Sequence, residues 1–247
     1  MASISILDEA QWRFEYKYRL PIQKYLQVKN QIKPYMVIDE YSNQPPEKKY
    51  LVRSLYYDSL FLDAFTEKID GNSDRIKFRI RTYSENLEPS QTLRAEMKVR
   101  KGSITEKYGA LITQTQYDAF ITEKHWLDTS DPVLEEFERN VHLKSLNPVV
   151  LTQYLREGYR SRAKEDVRIT FDHQVKSAHA DQLFPSAPFY HEHHHGLIVL
   201  EIKCIKMQPE WLRQLVRQNG LTIMANSKFV QGLTVSHPAL VSPSWST

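Results

Sequence analysis

Cysteine is nearly absent: Cys204 stands alone among 247 residues. A single thiol excludes an internal disulfide framework and suits a reducing compartment. Glycine is scarce too, at 7 residues, which argues against a glycine-rich loop of the kind that cradles phosphate. No apolar run approaches the roughly 20 residues that a membrane-spanning helix needs. Met1 to Arg13 shows no basic stretch followed by an apolar one, so no secretory signal is visible and a cytoplasmic location is the default expectation. Charge of one sign is not in large excess, with 33 Lys and Arg against 30 Asp and Glu. That surplus is too small to prove a nucleic-acid partner. No linker, internal repeat or long low-complexity stretch interrupts the chain, so residues 1–247 are expected to form a single domain.

What the sequence does have is strict alternation. Arg13-Phe14-Glu15-Tyr16-Lys17-Tyr18-Arg19 puts charges on one face and aromatics on the other. Lys77-Phe78-Arg79-Ile80-Arg81, Arg94-Ala95-Glu96-Met97-Lys98-Val99-Arg100, Val167-Arg168-Ile169-Thr170-Phe171-Asp172 and Leu200-Glu201-Ile202-Lys203-Cys204 repeat the pattern. A period of two is the signature of β-strands. Helical spacing appears between them. Pro21 to Ile32 carries Tyr25, Val28 and Ile32 on one side, and Thr113 to Trp126 carries Tyr117, Phe120 and Ile121. Asp131-Pro132 reads as a cap and first turn ahead of Leu134, Phe137 and Val141. Pro209 to Asn219 reads as a helix stopped by Gly220. Asn86 to Ser90 and Lys176 to His195 read as loops.

Any one such strand fits a half-exposed sheet with polar side chains facing water. Five of them, with nearly every polar position charged and mostly basic, fit a closed antiparallel barrel better. The charged face then lines the lumen and the apolar face meets covering helices. Charges in a narrow lumen are costly unless paired or occupied. A basic lumen therefore calls for a compact polyanion, held bidentately by Arg and by the point charge of Lys. A triphosphate or a phosphate chain is the natural ligand. In these strands the aromatics fall on the face opposite the basic residues, which argues against a single-stranded nucleic acid that would need stacking beside the cations.

The series Phe14-Glu15-Tyr16-Lys17, Leu55-Tyr56-Tyr57-Asp58, Lys77 to Arg81, Glu96-Met97-Lys98, Tyr154-Leu155-Arg156, Val167-Arg168-Ile169, Leu200 to Lys203 and Ser227-Lys228-Phe229 resembles the VTC domain of polyphosphate polymerases. The resemblance runs from about Arg13 to Leu233. It implies an α+β architecture, the eight-stranded antiparallel barrel of the triphosphate tunnel (CYTH-like) fold with helices packed outside. It also implies an ATP-dependent polymerase that adds the γ-phosphate of ATP to a growing polyphosphate chain. The reaction roles would fall on Lys17, Arg79, Arg81, Lys98, Arg156, Arg168 and Lys203. Lys68, Lys107, Tyr154, Ser227 and Lys228 would bind substrate. Glu201 would hold a divalent metal, Mn²⁺ or Mg²⁺, with Glu15 and Glu96 as further ligands and Asp172 as another carboxylate within the pattern.

The chain departs from its relatives at Lys68, where some carry arginine, and at Ala225, where some carry lysine. The hydrolase branch of the fold has Glu-x-Glu-x-Lys in its first strand, and here Arg13 replaces the first Glu. Fewer carboxylates favour transfer to a phosphate acceptor over activation of water by a second metal. Hydrolysis of tripolyphosphate or nucleoside triphosphate on the same fold, and binding of polyphosphate without turnover, stay open as alternatives. Oligomeric state is not encoded in any feature of the sequence.

Three further features read as structural. His191, His193, His194 and His195 around Glu192 could bind a transition metal, yet as a polar loop they need no ligand. Cys204 has the parity of the apolar face, as a buried, inert thiol would. Tyr56 and Asp58 share a face, where each can meet the lumen and Asp58 can instead cap a following helix.

Overall fold

The computed structural model describes residues 14–43, 47–86, 92–102, 104–163 and 166–238. Arg13 and most of the Asn86–Ser90 loop lie outside these residues. In chain order the elements are β1 (Phe14–Pro21), α1 (Ile22–Ile32), β2 (Met36–Ile38), β3 (Tyr50–Asp58), α2 (Asp63–Ile69), β4 (Arg75–Thr82), β5 (Leu93–Lys101) and β6 (Ile104–Ile112). Then follow α3 (Gln114–Glu123), α4 (Pro132–Leu143), β7 (Asn147–Ser161), β8 (Val167–Ala178), β9 (His191–Glu192), β10 (Leu197–Cys204), α5 (Glu210–Gln218) and α6 (Lys228–Ser236).

Eight strands form one antiparallel path in the order β1-β10-β8-β7-β3-β4-β5-β6, with β2 paired to β7 and β9 to β8. The α+β, eight-stranded expectation stands. The hydrogen-bonded wall is open, however: among the described residues no ladder joins β1 to β6. Side chains reach toward each other there instead, Lys98 Nζ of β5 lying 3.6 Å from Glu15 Oε2 of β1. The backbone N–H of Met224 also donates to the Lys17 carbonyl at 2.8 Å, which lays the segment before α6 along the free edge of β1.

The core lies outside the sheet. One cluster packs α3 and α4, through Tyr117, Phe120, Leu134, Phe137 and Val141, onto Leu55, Phe78, Ile80, Ala95 and Met97. A second packs α1 and α5, through Tyr25, Val28, Ile32, Leu212 and Leu215, onto Tyr18, Leu20, Ile169, Leu200, Ile202 and Cys204. The parity of each strand explains this: its apolar side chains turn outward to helices, so its charged ones must turn inward. Cys204 is buried in that shell, as its parity requires. The helix starts follow their capping signals. Asp131 Oδ1 accepts from Val133 N–H at 2.8 Å, and Thr113 and Gln116 form a reciprocal capping box. Gly220 ends α5 at φ 59°, a conformation cheap only for glycine.

Two stretches differ from expectation. The supposed loop Lys176–His195 begins as the end of β8 and contains β9. Its histidines divide: His195 is exposed as a solvated loop residue would be, but His193 is 7% exposed and meets Ser177 Oγ at 2.7 Å. Burial depresses His193 to about 4, so the ring stays neutral at ordinary pH. α6 is not among the helices expected from the sequence, although Ser227 caps it and Phe229, Gly232 and Leu233 form its buried stripe. It packs against β7 and β8, bringing Phe229 and Leu233 onto Tyr56 and Val150.

Candidate functional site

The inward faces of all eight path strands, with α2, α6 and the segment before α6, enclose a cavity of about 1300 Å³. Fourteen lysines and arginines and four carboxylates line it. The rest of the chain therefore holds nineteen basic residues against twenty-six acidic ones. The near-neutral total conceals a segregation of charge, positive inside and negative outside.

The residues that the resemblance assigns to reaction, substrate and metal all line this cavity, whereas Asp172 lies buried behind it and the His191–His195 cluster lies elsewhere. Lys17 and Glu15 come from β1, Lys68 from α2, Arg79 and Arg81 from β4, Glu96 and Lys98 from β5, and Lys107 from β6. Tyr154 and Arg156 come from β7, Arg168 from β8, Glu201 and Lys203 from β10, and Ser227 and Lys228 from the start of α6. Ladder registers set the neighbours. Arg79 faces Glu96 and Lys77 faces Lys98 across β4–β5, Lys98 faces Lys107 across β5–β6, and Lys17 faces Glu201 across β1–β10.

The carboxylates have different duties. Asp172, 0% exposed, takes Arg156 Nε and Nη2 at 2.6 and 2.8 Å and Lys228 Nζ at 2.5 Å. Despite its burial, those cations hold its carboxyl well below the usual carboxylate range. With both oxygens engaged, Asp172 positions Arg156 and Lys228 rather than offering itself to a metal. Glu96 accepts from Arg79 Nε at 2.6 Å, and Arg81 Nε lies 3.8 Å away. Burial works against its charge, but Arg79 and then Arg81 outweigh it and bring Glu96 to about 2. Glu15 and Glu201 are bridged by the same two ammoniums. Lys17 Nζ lies 3.3 Å from Glu15 and 3.7 Å from Glu201, and Lys203 Nζ lies 4.0 and 3.8 Å from the same pair.

A divalent ion fits that last pair by its chemistry. Among the described residues no three His, Cys, Asp or Glu side chains converge on a point, so no all-protein cage exists. Mg²⁺ and Mn²⁺ sites of the kind that use one or two carboxylates plus substrate phosphate oxygens and water need no more than Glu15 and Glu201 provide.

Four lumen lysines are pushed below the ordinary lysine range. Lys107 is brought down to about 6, first by Lys203 and then by burial. Lys77 falls to about 7, and Lys17 and Lys203 to about 8, chiefly through burial. Glu15 partly offsets the effect at Lys17 and Lys203. A lumen whose own cations are forced toward neutrality is one that gains when an anion enters.

Several lining residues are absent from the sequence-based set. Lys77 donates to Ser227 Oγ at 3.2 Å and lies 4.8 Å from the Phe229 ring centroid. It shares the parity of Arg79 and Arg81, a signal sufficient to find it. Arg75, Arg94 and Arg100 follow the same rule on β4 and β5. Tyr56 and Asp58 divide the roles open to them. Tyr56 enters the lumen and accepts from Arg79 Nη1 at 3.2 Å. Asp58 caps α2, accepting from Ala64 and Phe65 N–H at 2.9 and 3.1 Å. The separation of aromatics from cations holds in the five alternating strands, as at Tyr18 and Phe78, but residues outside those stretches, Tyr50, Tyr56, Tyr83 and Tyr154, line the cavity beside its cations. Tyr154 lies against cations directly, 5.2 Å from Arg156 and 4.5 Å from Lys228.

An antiparallel path wrapped around a basic cavity, with its apolar face turned out to helices, defines a triphosphate tunnel fold. Solved structures agree at the level of fold. An adenylate cyclase candidate from Bacillus halodurans is similar with a TM-score of 0.52 at 10% identity, covering 86% of this chain and 92% of its own. An adenylyl cyclase candidate from Hippeastrum, described as having a dominant triphosphatase activity, is similar with a TM-score of 0.51 at 15% identity, covering 92% and 98%. Comparison with curated protein sequences gives no match. The VTC domain model matches residues 12–237, and the chain belongs to that family.

Proposed function

We propose that this chain is a polyphosphate polymerase acting as one domain. It takes the triphosphate of ATP into the basic lumen and transfers the γ-phosphoryl group to the end of a polyphosphate chain. The observation that carries the reading is the lumen itself, with fourteen cations against four carboxylates around a cavity of about 1300 Å³. Arg79, Arg81, Arg156 and Lys228 are held in place by Glu96 and Asp172 before any ligand enters, and such preorganisation costs nothing at the moment of reaction. Lys17, Lys98, Lys107, Arg168 and Lys203 complete the wall that spreads charge over the phosphoryl oxygens. Lys68, Tyr154 and Ser227 supply further contacts to the phosphate chain.

The terminal oxygen of the polyphosphate attacks the γ-phosphorus in line. The bond from that phosphorus to the β–γ bridging oxygen breaks, and ADP leaves. The nucleophile is already ionised, so no strong base is required. Glu15 and Glu201 would hold Mn²⁺ or Mg²⁺, whose chemistry is to neutralise and orient phosphate oxygens. Two carboxylates suit one such ion better than two, which favours transfer over hydrolysis.

Hydrolysis is the second reading, favoured by the triphosphatase activity ascribed to the Hippeastrum neighbour. Incubation of the purified chain with ATP and Mg²⁺ or Mn²⁺, with the products resolved by size, decides between them. ADP with long phosphate chains is the expected result. Orthophosphate alone overturns the polymerase reading in favour of hydrolysis, and binding with no turnover overturns both.

A further inference from the structure

Three tyrosines stand at one mouth of the tunnel with no part in the chemistry above. Tyr41 follows β2, Tyr50 opens β3 and Tyr83 follows β4. The ring centroids of Tyr41 and Tyr50 are 6.2 Å apart, and those of Tyr50 and Tyr83 are 6.0 Å apart, with tilts of 55° and 57°. All three line the cavity. Tyr41 is 63% exposed and Tyr83 40%, where Tyr18 in the packed shell is 1% exposed. Packing within the chain leaves much of these two outer residues uncovered. Grouped exposed aromatics on the rim of a ligand cavity mark a contact surface.

Their position relative to the cations says what the contact would be. Tyr50 stands opposite Arg156 in the β3–β7 ladder, and Arg156 and Arg168 line the same cavity wall. Tyr83 lies two residues past Arg81, and both line the cavity. A phosphate chain gripped by Arg81, Arg156 and Arg168 therefore has its outer end among these rings. A planar aromatic group carried at the end of a triphosphate, joined to it through a ribose, is a nucleobase. Base faces stack on tyrosine largely regardless of which base is present.

We propose that Tyr41 and Tyr83, supported by Tyr50 between them, form a stacking site for the base of a nucleoside triphosphate. The site selects nucleotides as a class over inorganic phosphate chains at this mouth. The inference rests on the reading that a triphosphate occupies the lumen, and the test separates the two. Binding to the full chain is measured by calorimetry with Mg²⁺ for two ligands resistant to turnover. One is an ATP analogue with an imido bridge between its β and γ phosphates, and the other is inorganic triphosphate with the same bridge. The double variant Tyr41→Ala, Tyr83→Ala is expected to weaken the ATP analogue roughly 5- to 100-fold, the scale of losing one base–aromatic stack. The ratio of the two affinities falls by the same factor. Tyr41→Phe, Tyr83→Phe, which keeps both ring faces, is expected to restore the ratio. Equal losses for both ligands, or no loss for either, overturn the stacking site and leave the triphosphate reading standing. Failure of the unsubstituted chain to bind either ligand overturns both.

Discussion

Arg79 and Arg81 are neighbours on one strand face, yet they should answer differently to removal. Arg79 is the close partner of Glu96, whereas Arg81 lies 3.8 Å from it and reaches Ser54 Oγ at 3.1 Å. Arg79→Ala leaves a largely buried carboxylate without its main partner, and a loss of about 2–3 kcal/mol in urea denaturation is expected. Adding Glu96→Gln should recover part of that loss. Arg81→Ala should leave stability nearly unchanged and lower triphosphate affinity at least tenfold, read by calorimetry. Protonation gives a second test. At pH 8 Lys107, at about 6, and Lys77, at about 7, are mostly neutral in the free lumen. A bound polyanion favours their charged forms, so binding takes up protons and affinity falls as pH rises from 6 toward 8. Calorimetry in two buffers of different ionisation enthalpy measures the uptake, and equal heats in both would contradict it. These residues were legible in the sequence because parity assigns each side chain to a face. Their pairings were not, because Asp172 meets Lys228 only through contacts 56 residues apart.

At the scale of elements, the decisive piece is α6. Gly232 lets it approach the sheet: a Cβ there would lie 2.8 Å from Ser177 Oγ and 3.1 Å from Val150 Cγ2. Gly232→Ala is expected to cost about 1–3 kcal/mol through overpacking, visible as a lower melting temperature. It should also weaken triphosphate binding, because Ser227 and Lys228 ride on the same helix. A melting temperature equal to that of the unsubstituted chain would show that α6 shifts freely. By contrast α1, α3, α4 and α5 announce themselves in sequence, since each has a cap or stop signal and an apolar stripe set by local chemistry. α6 follows a short segment pinned to β1 by Met224 N–H and by Lys17 Nζ donating to the Asn226 carbonyl at 3.2 Å. Long-range contacts of that kind leave no periodic trace.

For the whole molecule, charge segregation links stability to pH. Lys107, Lys77, Lys17 and Lys203 have folded values between about 6 and about 8, against an ordinary 10.5 in the unfolded chain. Between pH 6 and 10 the unfolded chain therefore binds more protons, and stability of the ligand-free protein rises with pH across that window. The melting temperature is expected to climb from pH 6 to pH 9, unlike proteins whose optimum lies near neutrality. Inorganic triphosphate should raise it most at the low end and flatten the slope. A flat profile without ligand would mean that the lumen cations are not electrostatically strained. On the acid side, Glu96 and Glu157, both at about 2 against an ordinary 4.5, contribute stability that is full above pH 4.5 and lost toward pH 2.

The sequence by itself determined the strand alternation, the face on which each lysine and arginine stands, the covering helices and the family. Each of these follows from periods of two and 3.6 residues and from local capping, so neighbours along the chain suffice. The tertiary structure decided what depends on residues far apart. It left β1 and β6 without a shared ladder, turned Asp172 into the anchor of Arg156 and Lys228, buried His193, and set α6 against the sheet. It also brought Tyr41, Tyr50 and Tyr83 together beside the arginines at one mouth. The physical reason is common to all five. Closing a curved sheet brings strand ends into contact according to register and shear, and neither quantity is written in any single strand.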